Sequence, residues 1–170
     1  MILPIVKYSD PVLMKKATPV TEFNEELRQL VADMFETMYA APGVGLAAPQ
    51  VGVSKRLFVM DCSGGKDPEE KLVLINPEIL STEGKQMGDE GCLSFPNIYF
   101  EVARPKRVVV RAFGVDGKEF IIDSMDLTAR CIVHENDHLD GELFIKFLGP
   151  IKRELIMRKI KKRIKLGDWK

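Results

Sequence analysis

Apolar positions along this chain follow two rhythms, one helical and one extended. Leu27, Leu30, Val31, Met34, Phe35 and Met38 fall at i, i+3, i+4 and i+7, the spacing of a core-facing helical stripe. Asn24 precedes the stripe as an N-cap, and Glu25 and Glu26 occupy the first turn, where carboxylates complement the helix dipole. Pro42 and Gly43 end it. Gly43-Val44-Gly45-Leu46-Ala47-Ala48-Pro49-Gln50-Val51-Gly52 reads as a loop of small residues. Extended runs follow: Leu57-Phe58-Val59-Met60, then Leu72-Val73-Leu74-Ile75, stopped by Asn76-Pro77. Between them, Ser63 to Pro68 reads as an exposed loop. Arg107 to Phe113 is a third strand, and Asp116-Gly117 turns it into Glu119-Phe120-Ile121-Ile122. Helical spacing returns with Leu127, Cys131, His134 and His138, and Gly141 is the stop. A last helix starts near Pro150, with Ile156, Ile160 and Ile164 spaced by four.

The order is helix, antiparallel strands, then helices, without regular βαβ alternation. It predicts an α+β fold, with antiparallel strands packed around a central metal-binding helix and helices toward both ends. The helix carrying His134 and His138 is central because its other face is apolar. Residues 1–150 are expected to form one catalytic domain, and 151–170 a basic C-terminal helix of that domain.

Composition adds bounds. A chain of 170 residues, 45% hydrophobic and 29% charged, buries a single core. No apolar run approaches a membrane span, and Met1-Ile2-Leu3-Pro4-Ile5 lacks the basic lead of a signal peptide, so a cytoplasmic protein is expected. Three cysteines, an odd number, argue against a disulfide framework and fit a reducing compartment. Net charge is zero, yet residues 151–170 hold nine Lys or Arg against two Asp or Glu, a net of +7. That tail reads either as a solvated helix face or as a contact for an acidic partner such as nucleic acid.

The chain's only two histidines share one motif, His134-Glu135-Asn136-Asp137-His138. Four residues apart on a helix, two imidazoles share a face and can close on one metal ion, while the intervening glutamate can act as a base toward water. A third protein ligand is needed. Glu142 and Glu154 lie downstream, as the third ligand does in one group of metallopeptidases. Cys131 shares the helix, but seven residues separate it from His138, about 10 Å along the axis. Ligands strung along one helix face converge poorly on a tetrahedron, so Cys131 reads as a small core residue. Cys92 sits in Glu90-Gly91-Cys92-Leu93-Ser94-Phe95-Pro96, a segment able to bend a thiolate toward another element. Spacing alone leaves Cys92 open between ligand and inert buried thiol.

Gly43-Val44-Gly45-Leu46-Ala47-Ala48-Pro49-Gln50, Glu90-Gly91-Cys92-Leu93-Ser94 and His134-Glu135-Asn136-Asp137-His138-Leu139 together resemble the three signature motifs of bacterial peptide deformylases, in the same order and separation. The resemblance spans nearly the whole chain. It implies that Cys92, His134 and His138 bind one divalent ion, usually Fe(2+), with Zn, Ni or Co able to substitute. It implies removal of the formyl group from the N-terminal formylmethionine of nascent polypeptides, a step of protein biosynthesis, with release of formate. Glu135 would be the base, and the Gln50 amide and Leu93 backbone N–H would hold the oxyanion. Gly45 and its small neighbours would let a peptide backbone approach, and Val44, Leu127 and Cys131 would wall a slot for the methionine side chain. Glu90 would pair with Arg104 and brace the Cys92 segment. Two departures stand out: Val133 where many members carry glutamine, and Tyr99 where many carry arginine. Tyr99 would then grip the substrate by stacking or through its hydroxyl. Some deformylases dock on the ribosome through a C-terminal helix, which gives the basic tail a partner; no membrane or DNA contact is expected. The competing readings are an HExxH zinc metallopeptidase and a non-catalytic, ribosome-associated metal-binding module.

Overall fold

The computed structural model describes residues Met1–Lys170. Three helices, α1 (Glu25–Ala40), α2 (Asp126–Leu139) and α3 (Pro150–Lys165), accompany two antiparallel sheets. The first sheet has the order β1 (Gly45–Ala47), β2 (Leu57–Met60), β3 (Leu72–Glu83), β6 (Arg107–Phe113) and β7 (Glu119–Met125). The second is a hairpin of β4 (Gln86–Cys92) and β5 (Phe95–Arg104).

Local chemistry sets the helix starts. The Asn24 side chain accepts the Leu27 N–H at 3.0 Å and opens α1. Pro150 opens α3 at the position where its missing N–H costs nothing. After α2, Gly141 takes φ 73°, and a Cβ there would lie 2.7 Å from the Met14 carbonyl oxygen, so the stop requires glycine. Of the α1 stripe, Leu27, Val31, Met34, Phe35 and Met38 are buried and Leu30 is half-buried.

The strands differ from the sequence reading at four places. Gly43–Gly52 is not a loop throughout: Gly45–Ala47 forms β1, with Gly45 opposite Met60, and Ala48–Val51 forms a 3-10 turn. The edge of β2 supplies backbone partners, something small-residue composition cannot reveal. Asn76-Pro77 does not stop β3 but forms a bulge, where the register shifts between Ile75 and Glu78. Asn76 takes φ 50°, and its side chain bonds both the N–H and the C=O of Val20 at 2.8 and 2.9 Å. The β4–β5 hairpin was not expected at all, since Gln86-Met87-Gly88-Asp89-Glu90-Gly91 shows no apolar alternation. The strand after the Asp116-Gly117 turn also runs on past Ile122 to Met125.

α2 lies on the larger sheet: Ala129, Ile132 and Leu139 join Phe58, Met60, Leu74, Val108 and Val110 in one buried cluster. α1 packs its stripe against Leu46, Leu57, Val59 and Ile75. A third cluster joins Phe95, Ile98 and Val102 of β5 to Phe144 and to Ile160 of α3. Burying Ile160 contributes about 2 kcal/mol. Ile151, Leu155 and Ile164 on the same helix stay exposed, so the four-residue stripe there is buried only in part. No helix is long and apolar enough to cross a membrane.

Candidate metal centre

α2 brings His134 and His138 to one face with ring centroids 5.1 Å apart. Cys92 ends β4, where the register with β5 shifts between Gly91 and Cys92 and turns the side chain toward α2. Its Sγ lies 3.3 Å from His138 Nε2, and ligand atoms of Cys92, His134 and His138 all lie within 4.8 Å of one another. One thiolate and two imidazoles suit Fe(II), Zn(II), Co(II) or Ni(II) far better than Mg(II).

The surroundings fit such an ion. His134 Nδ1 sits 2.7 Å from Glu90 Oε1, which assigns the ring proton to Nδ1 and leaves Nε2 for a metal. Burial works against a charged His134, but Cys92 and Glu90 outweigh it and raise its pKa to about 10. The same negative field favours a cation at the cluster. For His138, burial first and then the nearby His134 and Arg104 charges push the pKa down, toward the neutral imidazole that coordinates metals. Glu135 is 4% exposed, and burial raises its pKa to about 7, a value matched to taking and giving a proton near neutrality. Its buried Oε2 has no protein partner, so its partner comes from whatever binds in the cleft.

Glu90 is the hub behind the ligands. Arg104 donates to it twice, from Nε and Nη2, both at 2.8 Å. Arg130 Nη1 donates to it at 2.7 Å, and also to the Val102 carbonyl at 3.0 Å. Burial opposes ionisation of Glu90, but the Arg104 and His134 contacts hold its carboxyl well below the usual range. Arg104 Nη1 further reaches Asp137 Oδ2 at 2.9 Å. Arg130 and Asp137 were not singled out from sequence. Their spacing from His134, four before and three after, was the available signal, because it places both near that histidine on the helix.

Gln50 is 1% exposed. Its Oε1 accepts the Ala47 N–H at 3.0 Å, which fixes the amide and directs its NH2 group to the cluster. There Nε2 donates to Ser94 Oγ at 3.1 Å and lies 3.5 Å from Cys92 Sγ. Ser94, like Arg130, was missed.

A cleft of about 470 Å³ opens over the cluster, lined among others by Val44, Gly45, Gln50, Leu93, Tyr99, Leu127, Cys131 and Glu135. A Cβ on Gly45 would lie 2.7 Å from Glu135 Oε1 and 2.9 Å from Cys131 Sγ, so only glycine fits beside the glutamate. Cys131 is 5% exposed and belongs both to the core and to the cleft wall; contact with Cys62 and burial push its thiol pKa up. Tyr99 is 71% exposed at the rim, its ring over Gly91. Val133 is half-buried and packs on the α2 core cluster. Glu142 pairs with Lys146, and Glu154 with Arg158 at 2.7 Å, both on the surface, so neither supplies a peptidase-type third ligand.

The family model described as polypeptide deformylase matches residues 2–154. A peptide deformylase of Acidobacterium capsulatum is 57% identical over 169 residues, 99% of each chain. The crystal structure of a peptide deformylase from Legionella pneumophila superposes with a TM-score of 0.92 at 46% identity, covering 100% of this chain and 99% of that one. A peptide deformylase from Synechococcus elongatus, solved in complex with actinonin, gives a TM-score of 0.87 at 40% identity over 95% of this chain and 87% of its own.

Proposed function

The chain belongs to the peptide deformylase family, and on that premise we propose how its residues carry out the family's reaction. It is a metal-dependent hydrolase that removes the N-formyl group from nascent formylmethionyl peptides. Cys92, His134 and His138 would hold the ion, for which Fe(2+) is the first choice and Zn, Ni or Co are substitutes. The chemistry such an ion would supply there is Lewis acidity, which would make water more acidic and the formyl carbonyl more electrophilic. Glu135 takes the proton of the attacking water and returns it to the departing amine. Its pKa near 7 suits both directions. The Gln50 Nε2–H and the Leu93 backbone N–H donate to the oxygen that gains charge. Val44, Leu127 and Cys131 receive the methionine side chain, Gly45 admits the peptide backbone, and Tyr99 packs on the peptide at the rim. Glu90, held in place by Arg104 and Arg130, keeps His134 in its ligating tautomer through its direct contact with Nδ1.

The single observation that carries this reading is the convergence of a β4 thiol with two α2 imidazoles beside a buried, partnerless carboxylate oxygen. The zinc metallopeptidase and the non-catalytic module are not favoured: one lacks its downstream ligand, and the other has no use for Glu135. We further propose a cytoplasmic location and a ribosome contact through the exposed basic face of α3. The decisive assay is formate release from a formylmethionyl peptide by protein loaded anaerobically with Fe(II) or Ni(II). Release with either ion supports the assignment; no release with any ion, or cleavage of internal peptide bonds, refutes it.

A further inference from the structure

Cys62 and Cys131 take no part in holding the ion, and their thiols meet at the wall of the cleft. Cys131 faces the cleft from α2: a Cβ on Gly45 would lie 2.9 Å from its Sγ, and the Val44 carbonyl oxygen lies 3.8 Å from it. The same carbonyl accepts the Asp61 N–H at 2.8 Å, which continues the pairing of β1 with β2 by one residue. Cys62 comes next. Its side chain packs on the α2 core cluster and hydrogen-bonds with the Cys131 thiol and with Thr128, three residues earlier on the helix. The backbone on either side is held by the buried Asp61 carboxylate, which accepts from the Ser63 N–H at 2.9 Å, the Gly65 N–H at 3.1 Å and the Tyr39 hydroxyl at 2.5 Å.

The two thiols are unlike. Cys62 is half-buried and lies in a turn, whereas Cys131 is 5% exposed. The hydrogen bond with Cys131 pulls the Cys62 pKa down against burial, and the same bond together with burial pushes the Cys131 pKa up. A partly exposed sulfur with thiolate character is the one that peroxide attacks, and a neutral thiol touching it is the resolving partner. From hydrogen-bond contact the sulfurs need only close to about 2.05 Å.

We propose that Cys62 and Cys131 are a peroxide-responsive dithiol whose reversible disulfide weakens the methionine slot. The slot, walled by Cys131, rests on the deformylase reading of the cleft. In the first step the Cys62 sulfur attacks hydrogen peroxide, the O–O bond breaks, and a sulfenic acid and one water result. The Cys131 sulfur then attacks the Cys62 sulfur, the S–O bond breaks, and the departing hydroxide takes the Cys131 proton as a second water. Two thiols are oxidised and one peroxide is reduced. Cys131 then has no hydrogen for the Val44 carbonyl, and its sulfur is drawn toward Cys62, so the slot loses contact with the methionine side chain. A dithiol reductant reverses the link by exchange and is itself oxidised to a disulfide.

The test treats the Ni(II)-loaded full chain with a small molar excess of hydrogen peroxide. Free thiols are then alkylated under denaturing conditions and the products read by peptide mass spectrometry. A parallel sample gives kcat/KM on a formyl-Met-Ala peptide. The expected result is a linked peptide pair carrying Cys62 and Cys131, with Cys92 unoxidised. Losing about one methylene's worth of contact should lower kcat/KM by about three- to tenfold, mainly through KM, with recovery in dithiothreitol. Cys62→Ser should turn over like wild type before treatment and keep its kcat/KM through it. Cys62 joined to Cys92 or oxidised without a link, a Cys62–Cys131 link that leaves kcat/KM unchanged, or an equal loss in Cys62→Ser overturns the inference and leaves deformylation standing. An untreated enzyme without turnover would overturn the deformylase reading instead, while the mass spectrum still reports whether the two thiols join.

Discussion

Replacing Glu90 with glutamine tests whether the metal centre depends on the buried charge network behind it. The carboxylate accepts four hydrogen bonds, two from Arg104 and one each from Arg130 and His134, at 2.7–2.8 Å. An amide can accept on one side only, so its NH2 group must face donors on the other. The change leaves Arg104 and Arg130 short of an anion in a site where Glu90 is 6% and Arg104 is 3% exposed. Removing one partner of a buried pair costs about 3–5 kcal/mol. Asp137 still accepts from Arg104, which puts the expected loss near the lower end, about 3 kcal/mol. For a chain of this length that is a fall in Tm of about 6–12 °C. Loosening the His134 orientation should also weaken metal binding by about 10- to 100-fold. The measurements are calorimetric Tm of metal-free and Ni(II)-loaded protein, and metal competition with a chelator. Arg107→Ala is the control: its pairs with Glu83 and Asp123 are about as short, at 2.9 and 2.7 Å, but exposed and screened by solvent, so their loss should change stability little. If Glu90→Gln shifts Tm no more than Arg107→Ala and binds metal equally well, the network is not what holds the site.

Glu135→Gln should keep the metal and the fold yet lower kcat by about 10²- to 10⁴-fold; turnover near wild type in single-turnover assays would remove Glu135 as the base. Gly45→Ala places a methyl group against Glu135 Oε1 and Cys131 Sγ, so kcat/KM should fall by about tenfold or more while metal content stays full; an unchanged kcat/KM would show that the wall yields. Lys159→Glu with Lys162→Glu reverses two exposed charges on α3, away from buried Ile160. Sedimentation with ribosomes should weaken in a salt-dependent way with formate release intact, and unchanged co-sedimentation would dismiss the proposed contact.

Local pattern alone determined much of this protein. Asn24 and the stripe after it specified α1, and Pro150 marked the start of α3. The β-branched run Arg107–Phe113 was one strand from end to end, and His134 and His138 shared a face because an α-helix repeats about every 3.6 residues. These features depend on neighbours a few residues away. Only the tertiary structure made Gln86–Cys92 a strand, because polar, glycine-rich residues pair there for the sake of β5 and of Arg130, not through their own periodicity. It also carried β3 through Asn76-Pro77, where hydrogen bonds to Val20, 56 residues away, hold the bulge. The metal centre divides in the same way. The histidine pair and its glutamate are written within five residues, whereas the bend that brings Cys92 to them and the four-way clasp of Glu90 join parts of the chain that no local rhythm connects. Such contacts form only when separate apolar faces have found each other and closed the core around them.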